Sequence, residues 1–168
     1  MYCWRITKYD PKNRDENGFY QKDEWTAVSD IGQKYDDVEF TYDSYLFYEN
    51  AYVDAVIRIM RGNNVESFLI KALEKGCYIN YPDFSESESK RFFRSLKRNM
   101  QIPKHDVIPI IRFALREIIW CKLLSNQMFV HFGYDYYMYI GSENPLEEEI
   151  NIIENNGLFV EPMVSPYI

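Results

Sequence analysis

The 168-residue sequence predicts an α+β fold: about five mostly antiparallel strands with three main helices packed on one face, in the order β-α-β-α-β-β-α-β. Three observations carry this reading. Apolar residues recur every three or four positions from Tyr42 to Arg61, the period of one helix face. Bulky and polar residues alternate in Tyr2-Cys3-Trp4-Arg5-Ile6-Thr7, the period of a strand. Two more apolar runs, Met128 to Phe132 and Tyr136 to Ile140, are joined by Gly133-Tyr134-Asp135, a connection suited to a hairpin. A chain of this length buries roughly two-thirds of its unfolded surface, so residues 1–168 read as a single domain that needs no metal or disulfide staple.

The first strand carries Tyr2, Trp4 and Ile6 on one face and stops at Asp10-Pro11. Lys12 to Phe40 is rich in Asp, Asn, Gly and Lys with scattered aromatics, the composition of a long irregular segment. Segments of that length are often functional. Tyr45, Tyr48, Tyr52, Val56 and Ile59 form the apolar stripe of the first helix, which Gly62 can terminate. Val65 to Ala72 alternates and is expected to be a strand. Residues 76–104 look like an insertion of loop chemistry around one short amphipathic segment. Asp106 to Leu124 predicts a second helix, with Asp106 as N-cap, Pro109 in the first turn and apolar residues around most of its circumference. After the hairpin, Asn144-Pro145-Leu146-Glu147 has the layout of a helix start and Gly157 of its end. Leu158 to Val160 then gives a last strand before the tail Pro162 to Ile168.

Net charge is −7, but it is unevenly spread. Residues 1–60 carry −5, residues 61–125 carry +5, and residues 126–168 carry −7 with no Lys or Arg at all. Either the acidic ends neutralise the basic middle within the fold, or an acidic surface is kept for a basic partner. Aromatic residues make up 17% of the chain, too many for a disordered segment. Cys3, Cys77 and Cys121 are odd in number and widely spaced, which fits reduced thiols better than a disulfide framework or a zinc site. No apolar run approaches the roughly 20 residues of a membrane span, and the start lacks a signal-peptide layout, so a cytoplasmic protein without membrane contact is expected. No motif asks for a cofactor or a metal.

Three sets of residues are candidates for function. Alternation in the hairpin puts Phe129, His131, Asp135, Tyr137 and Tyr139 on one face. His131 and Asp135 there would suit an acid/base pair, yet no nucleophile elbow or phosphate loop accompanies them. Asp23-Glu24-Trp25 with Asp30 offers a Trp flanked by acids, either an anchor for a basic target or a pin for its own loop. The third set, Lys90, Arg91, Arg94, Lys97 and Arg98, lies on one side of a short helical segment and is either a nucleic-acid contact or a solvated helix face. Tyr and Trp beside acids fit a protein partner better than nucleic acid, because phosphates need nearby positive charge. A partner surface of Asp23, Glu24, Trp25, Asp30, His131, Tyr134, Asp135, Tyr137 and Tyr139 is therefore expected.

Ile6-Thr7-Lys8-Tyr9-Asp10-Pro11, Asp23-Glu24-Trp25-Thr26 with Ser29-Asp30-Ile31-Gly32, Leu115-Arg116-Glu117 with Trp120-Cys121-Lys122-Leu123, and Val130 through Gly141 form a set of motifs spread along the chain. Together they resemble a family of small, acidic, functionally uncharacterised bacterial cytosolic proteins, with residues 76–104 fitting least. That family is loosely similar in size, acidity and α+β build to the immunity proteins that protect bacteria from the toxins of their neighbours. The resemblance implies no catalytic residues. The −12 carried by the two ends and the Tyr/Trp enrichment, beside that analogy of class, lead to the expectation of a non-enzymatic immunity-type protein that neutralises a basic toxin domain through an acidic, aromatic surface. The alternatives are a small enzyme using His131 and Asp135, and a nucleic-acid-binding protein using residues 90–98.

Overall fold

A computed structural model describes residues 1–167; Ile168, the end of the expected tail, lies outside the described residues. In chain order the elements are β1 (Tyr2–Thr7), a small hairpin of β2 (Lys34–Tyr35) and β3 (Val38–Glu39), α1 (Tyr42–Gly62), β4 (Ser67–Lys75), α2 (Glu86–Ser95), β5 (Gln101–Pro103), α3 (Val107–Leu115), β6 (Ile119–Leu124), β7 (Met128–Phe132), β8 (Met138–Ser142), α4 (Glu147–Asn155) and β9 (Phe159–Pro162). Seven strands make one antiparallel sheet in the order β5-β4-β6-β7-β8-β1-β9. The α+β class is as expected, with two more strands in the main sheet and one more helix.

Alternation builds the core. Ile6, Phe68, Ile70, Ile102, Cys121, Leu123, Val130 and Ile140 are fully buried on the sheet face that meets the helices. From the other side α1 contributes Tyr45, Tyr52, Ala55, Val56 and Ile59, also fully buried. Each such aliphatic or aromatic side chain stabilises the fold by about 1.5–3 kcal/mol. α1 starts where Thr41 Oγ1 accepts the Ser44 N–H at 3.2 Å. It is flanked by α3 and α4.

The predicted helix over 106–124 is two elements. α3 stops at Leu115, and residues 119–124 form β6, paired with both β4 and β7. The break is a helix cap closed by a residue other than glycine. Glu117 adopts a left-handed conformation (φ 58°), its N–H bonds Ala114 O at 3.1 Å, and Ile118 N–H reaches back to Phe113 O at 2.9 Å. Beyond it, Ile119, Cys121 and Leu123 turn inward while Trp120, Lys122 and Leu124 face the other way.

Residues 76–104 are only in part an excursion, since Gln101–Pro103 is an edge strand paired with β4. The remainder is docked by aromatic packing: the rings of Tyr78, Phe84, Phe92 and Phe93 are centred 5.6–6.4 Å from that of Phe113 in α3. The sheet's second face is partly covered by the tail that follows β9. Ser165 packs on β7, and Tyr167 lies edge-on to Trp120, His131 and Tyr139, with its carbonyl accepting from Lys122 Nζ.

Candidate functional site

One end of the sheet gathers residues from three distant segments: the loop after β1, the α3–β6 cap and the β7–β8 hairpin. Lys8, the first residue beyond β1, has its side chain almost wholly buried. Its Nζ lies 3.0 Å from Glu24 Oε2, 4.0 Å from the centre of the Tyr9 ring and 4.3 Å from that of Trp25. Burial lowers the Lys8 ammonium to about 8, opposed by the hydrogen bond it donates to Glu24 and by the charges of Glu24, Asp30 and Asp135. Glu24 also accepts from Tyr20 Oη at 2.5 Å. Trp25 stacks on Phe40 at 4.4 Å and meets the edge of Tyr136 at 4.7 Å. It is therefore the pin of its loop, buried to 7% exposure, and not an anchor offered to a partner. Asp30 holds the same loop by accepting from Thr26 and Ala27 N–H at 2.8 and 3.0 Å.

The hairpin turn is unusual in its backbone. Asp135 (φ 55°) and Tyr136 (φ 62°) are consecutive left-handed residues, and Tyr137 N–H bonds Tyr134 O at 3.1 Å. Burial of Tyr136 explains how a bulky residue is held there. Its hydroxyl donates to Leu115 O at 2.7 Å, and its carbonyl accepts from Tyr52 Oη at 2.6 Å. The turn presents Tyr134, 77% exposed, beside exposed Asp135. Glu117 and Asp135 line one shallow cleft of about 30 Å³ with Gly133 and Tyr137. Burial raises the Glu117 carboxyl above its usual range, helped by the charges of Asp135 and Asp30.

The expected partner residues are thus divided. Asp23, Tyr134 and Asp135 are exposed; Glu24, Asp30 and Tyr137 are half-buried; Trp25, His131 and Tyr139 are buried. Tyr137 Oη accepts from Arg14 Nη1 at 2.9 Å. His131 sits under the tail, sharing a 2.8 Å hydrogen bond through Nδ1 with Ser165 Oγ and stacked on Phe129 at 4.4 Å. Burial, aided by the charge of Lys122, holds its pKa at about 4, so it is neutral near pH 7. No hydrogen bond or ion pair joins His131 to Asp135 among the described residues; the left-handed turn carries Asp135 off the alternating face. Glu117, outside the expected set, joins the site because the cap ending α3 turns it toward the hairpin.

A second polar cluster is internal. Arg116, with a side chain at 0% exposure, donates to both Glu49 oxygens at 2.6 Å and to both Asp83 oxygens at 2.8 Å. Tyr45 Oη donates to Glu49 at 2.9 Å and Tyr42 Oη to Asp83 at 2.5 Å. The guanidinium lies 4.3 Å and 4.6 Å from the ring centres of Phe84 and Tyr81. Burial alone would raise Asp83, but the bonds from Arg116 and Tyr42 outweigh it and hold this carboxyl at about 2. This cluster ties the excursion to α1 and α3. An open cleft of about 610 Å³ lies beside it between α2 and α3, with Arg112, Phe84 and Phe113 among its lining residues.

Ion pairs show how far the acidic ends and the basic middle cancel. They do so through Glu49, which faces Arg112 and Arg116; the other ion pairs of the end segments, such as Arg5–Glu161 and Arg58–Glu149, stay within those segments. Lys90, Arg91, Arg94, Lys97 and Arg98 pair with no carboxylate among the described residues. Apart from the pairs of Glu49, no ion pair among the described residues joins the acidic ends to the basic middle. No helix among the described residues is long and apolar enough to cross a membrane. Compared with protein-family models, curated proteins and solved structures, the chain matches none.

Proposed function

We propose that the protein is a non-enzymatic binding protein of immunity type, which neutralises a basic toxin domain by covering it with an acidic, tyrosine-bearing surface. The observation that carries the reading is the meeting at one end of the sheet of exposed Glu117 and Asp135, which line one cleft, beside the exposed ring of Tyr134. The side chains of the cations of that end, Lys8 and Arg14, are buried and already engaged, Lys8 by Glu24 at 3.0 Å and Arg14 by Glu161 at 3.8 Å and the Tyr137 hydroxyl. A large rigid ring set among carboxylates suits a cationic protein surface: the ring fills a pocket, and the acids steer encounter and exclude acidic competitors.

The reading is tested by co-expressing the chain with the product of the neighbouring gene. Rescue of growth by the wild type, loss of rescue in Glu117→Lys/Asp135→Lys with folding retained, and an association rate that falls steeply with salt are the expected results. A neighbouring product that neither binds the chain nor is silenced by it overturns the proposal.

A further inference from the structure

The end of the sheet away from the hairpin carries a second recess. There the first residues of β4, the last of β6 and the turn joining β6 to β7 enclose an open cleft of about 460 Å³, within the range of roughly 300–1,000 Å³ typical of small-molecule sites. Leu69 and Leu124 oppose each other across the β4–β6 pair, on the face turned away from the helices, and form its floor. Gln101 opposes Leu69 from β5 and shares that face. Its Nε2 donates to Ser67 Oγ at 2.5 Å, which leaves the amide oxygen for another partner. Asn126 and Gln127 stand at the centre of the β6–β7 turn, and Asn64 follows the end of α1. The carboxamides of these three line the cleft and make no hydrogen bond to protein among the described residues. The turn is ordered in advance: Ser125 N–H bonds Met128 O at 2.8 Å, Met128 N–H bonds Ser125 Oγ at 3.0 Å, and Glu143 N–H bonds Gln127 O at 2.9 Å. Little backbone freedom is left to lose on binding.

The lining selects the ligand. Glu66 is its one charged side chain, and Lys104 Nζ already meets it at 2.9 Å, so neither an anion nor a cation finds a free counter-charge there. No aromatic ring lines the cleft to stack a nucleobase. At Leu69 and Leu124 the backbone is flanked by strands on both sides, so no peptide strand can add there. An apolar ligand would strip water from the carboxamides without replacing it. What remains is a neutral molecule rich in groups that both donate and accept, as each carboxamide does. We propose that the cleft binds a neutral saccharide, with hydroxyls on Asn64, Gln101, Asn126 and Gln127 and the C–H face of a ring on Leu69 and Leu124. The site lies at the opposite end of β6 and β7 from Tyr134, so it stands or falls apart from the immunity-type reading.

The experiment is an amide NMR titration of the nitrogen-labelled full chain with glucose, galactose, N-acetylglucosamine, maltose and cellobiose. Adenosine and N-acetylalanine amide are the non-sugar probes. Asn126→Ala/Gln127→Ala removes two carboxamides but none of the bonds of Ser125 that hold the turn, so it should keep the wild-type unfolding midpoint. Asn155→Ala in α4, also an exposed asparagine, is the control. The expected result is that at least one sugar, at millimolar concentration, shifts the amides of residues 64–69 and 124–127. The double variant should weaken that binding about tenfold, for two lost hydrogen bonds, and Asn155→Ala should leave it unchanged. Absence of shifts with every sugar overturns the proposal, as do shifts confined to other residues and equal binding by the double variant. Adenosine or the peptide amide moving these resonances in place of the sugars overturns it too.

Discussion

Arg116→Met tests the internal cluster most directly. The substitution keeps length and apolar stem but removes four charge-assisted hydrogen bonds of 2.6–2.8 Å. Asp83, with a side chain 26% exposed, can recover water; Glu49, at 0%, cannot, and is left with the Tyr45 hydroxyl and Arg112 at 3.6 Å. Leaving one buried charge without its partner costs about 3–5 kcal/mol. For a domain of this size that corresponds to a fall in Tm of roughly 6–20 °C. Urea unfolding followed by tyrosine and tryptophan fluorescence should show a lower midpoint at an unchanged slope. The control is Glu49→Leu/Arg116→Met, which removes both buried charges and should regain at least about 2 kcal/mol over Arg116→Met alone. A loss below about 1 kcal/mol for the single variant would refute the argument, since it would mean that water reaches Glu49. A double variant worse than the single would refute it too.

Asp83 is held at about 2, against an ordinary 3.8, so its contribution to stability is complete above the higher value and lost as pH falls through the lower one. The Tm difference between the wild type and Asp83→Asn should therefore narrow toward pH 2. His131 is held at about 4, below its ordinary 6.5; the unfolded chain takes up its proton first, so stability should fall as pH drops from 6.5 toward 4. Replacement by Phe should flatten that limb, read as Tm against pH. Gly141 opposes Phe129 across β7 and β8, and a Cβ there would lie 2.1 Å from the Phe129 ring. Gly141→Ala should cost about 1–3 kcal/mol by overpacking, measured by denaturant titration.

Period and composition made α1, β1 and the β7–β8 hairpin legible, because in each the buried residues follow one geometric rule. The α3–β6 boundary was not legible. Apolar residues run from Ile108 to Leu124 with no Gly or Pro after Pro109, and Glu117 occupies the capping position that glycine usually holds. The alternation Ile119, Cys121, Leu123 was the available strand signal, masked by Ile118 and Trp120 beside it. β5 was too short to leave a pattern. At the candidate site, charge was legible and burial was not: Trp25, His131 and Tyr139 read as surface aromatics, and only the packing of a loop and a tail conceals them. The same limit hid the Arg116–Glu49–Asp83 cluster, whose members are 33 and 67 positions apart.

The paired left-handed residues of the hairpin have a thermodynamic consequence for any partner. A turn holding Asp135 and Tyr136 in that region stores of the order of 1–3 kcal/mol of strain per residue, offset by the packing and bonding of Tyr136. Its backbone has thus surrendered its conformational freedom before any encounter. A molecule closing over Tyr134 orders little more than one side chain, so the entropy usually lost when a loop is immobilised, about 0.5–1.5 kcal/mol for each mobile side chain, is largely absent from the association.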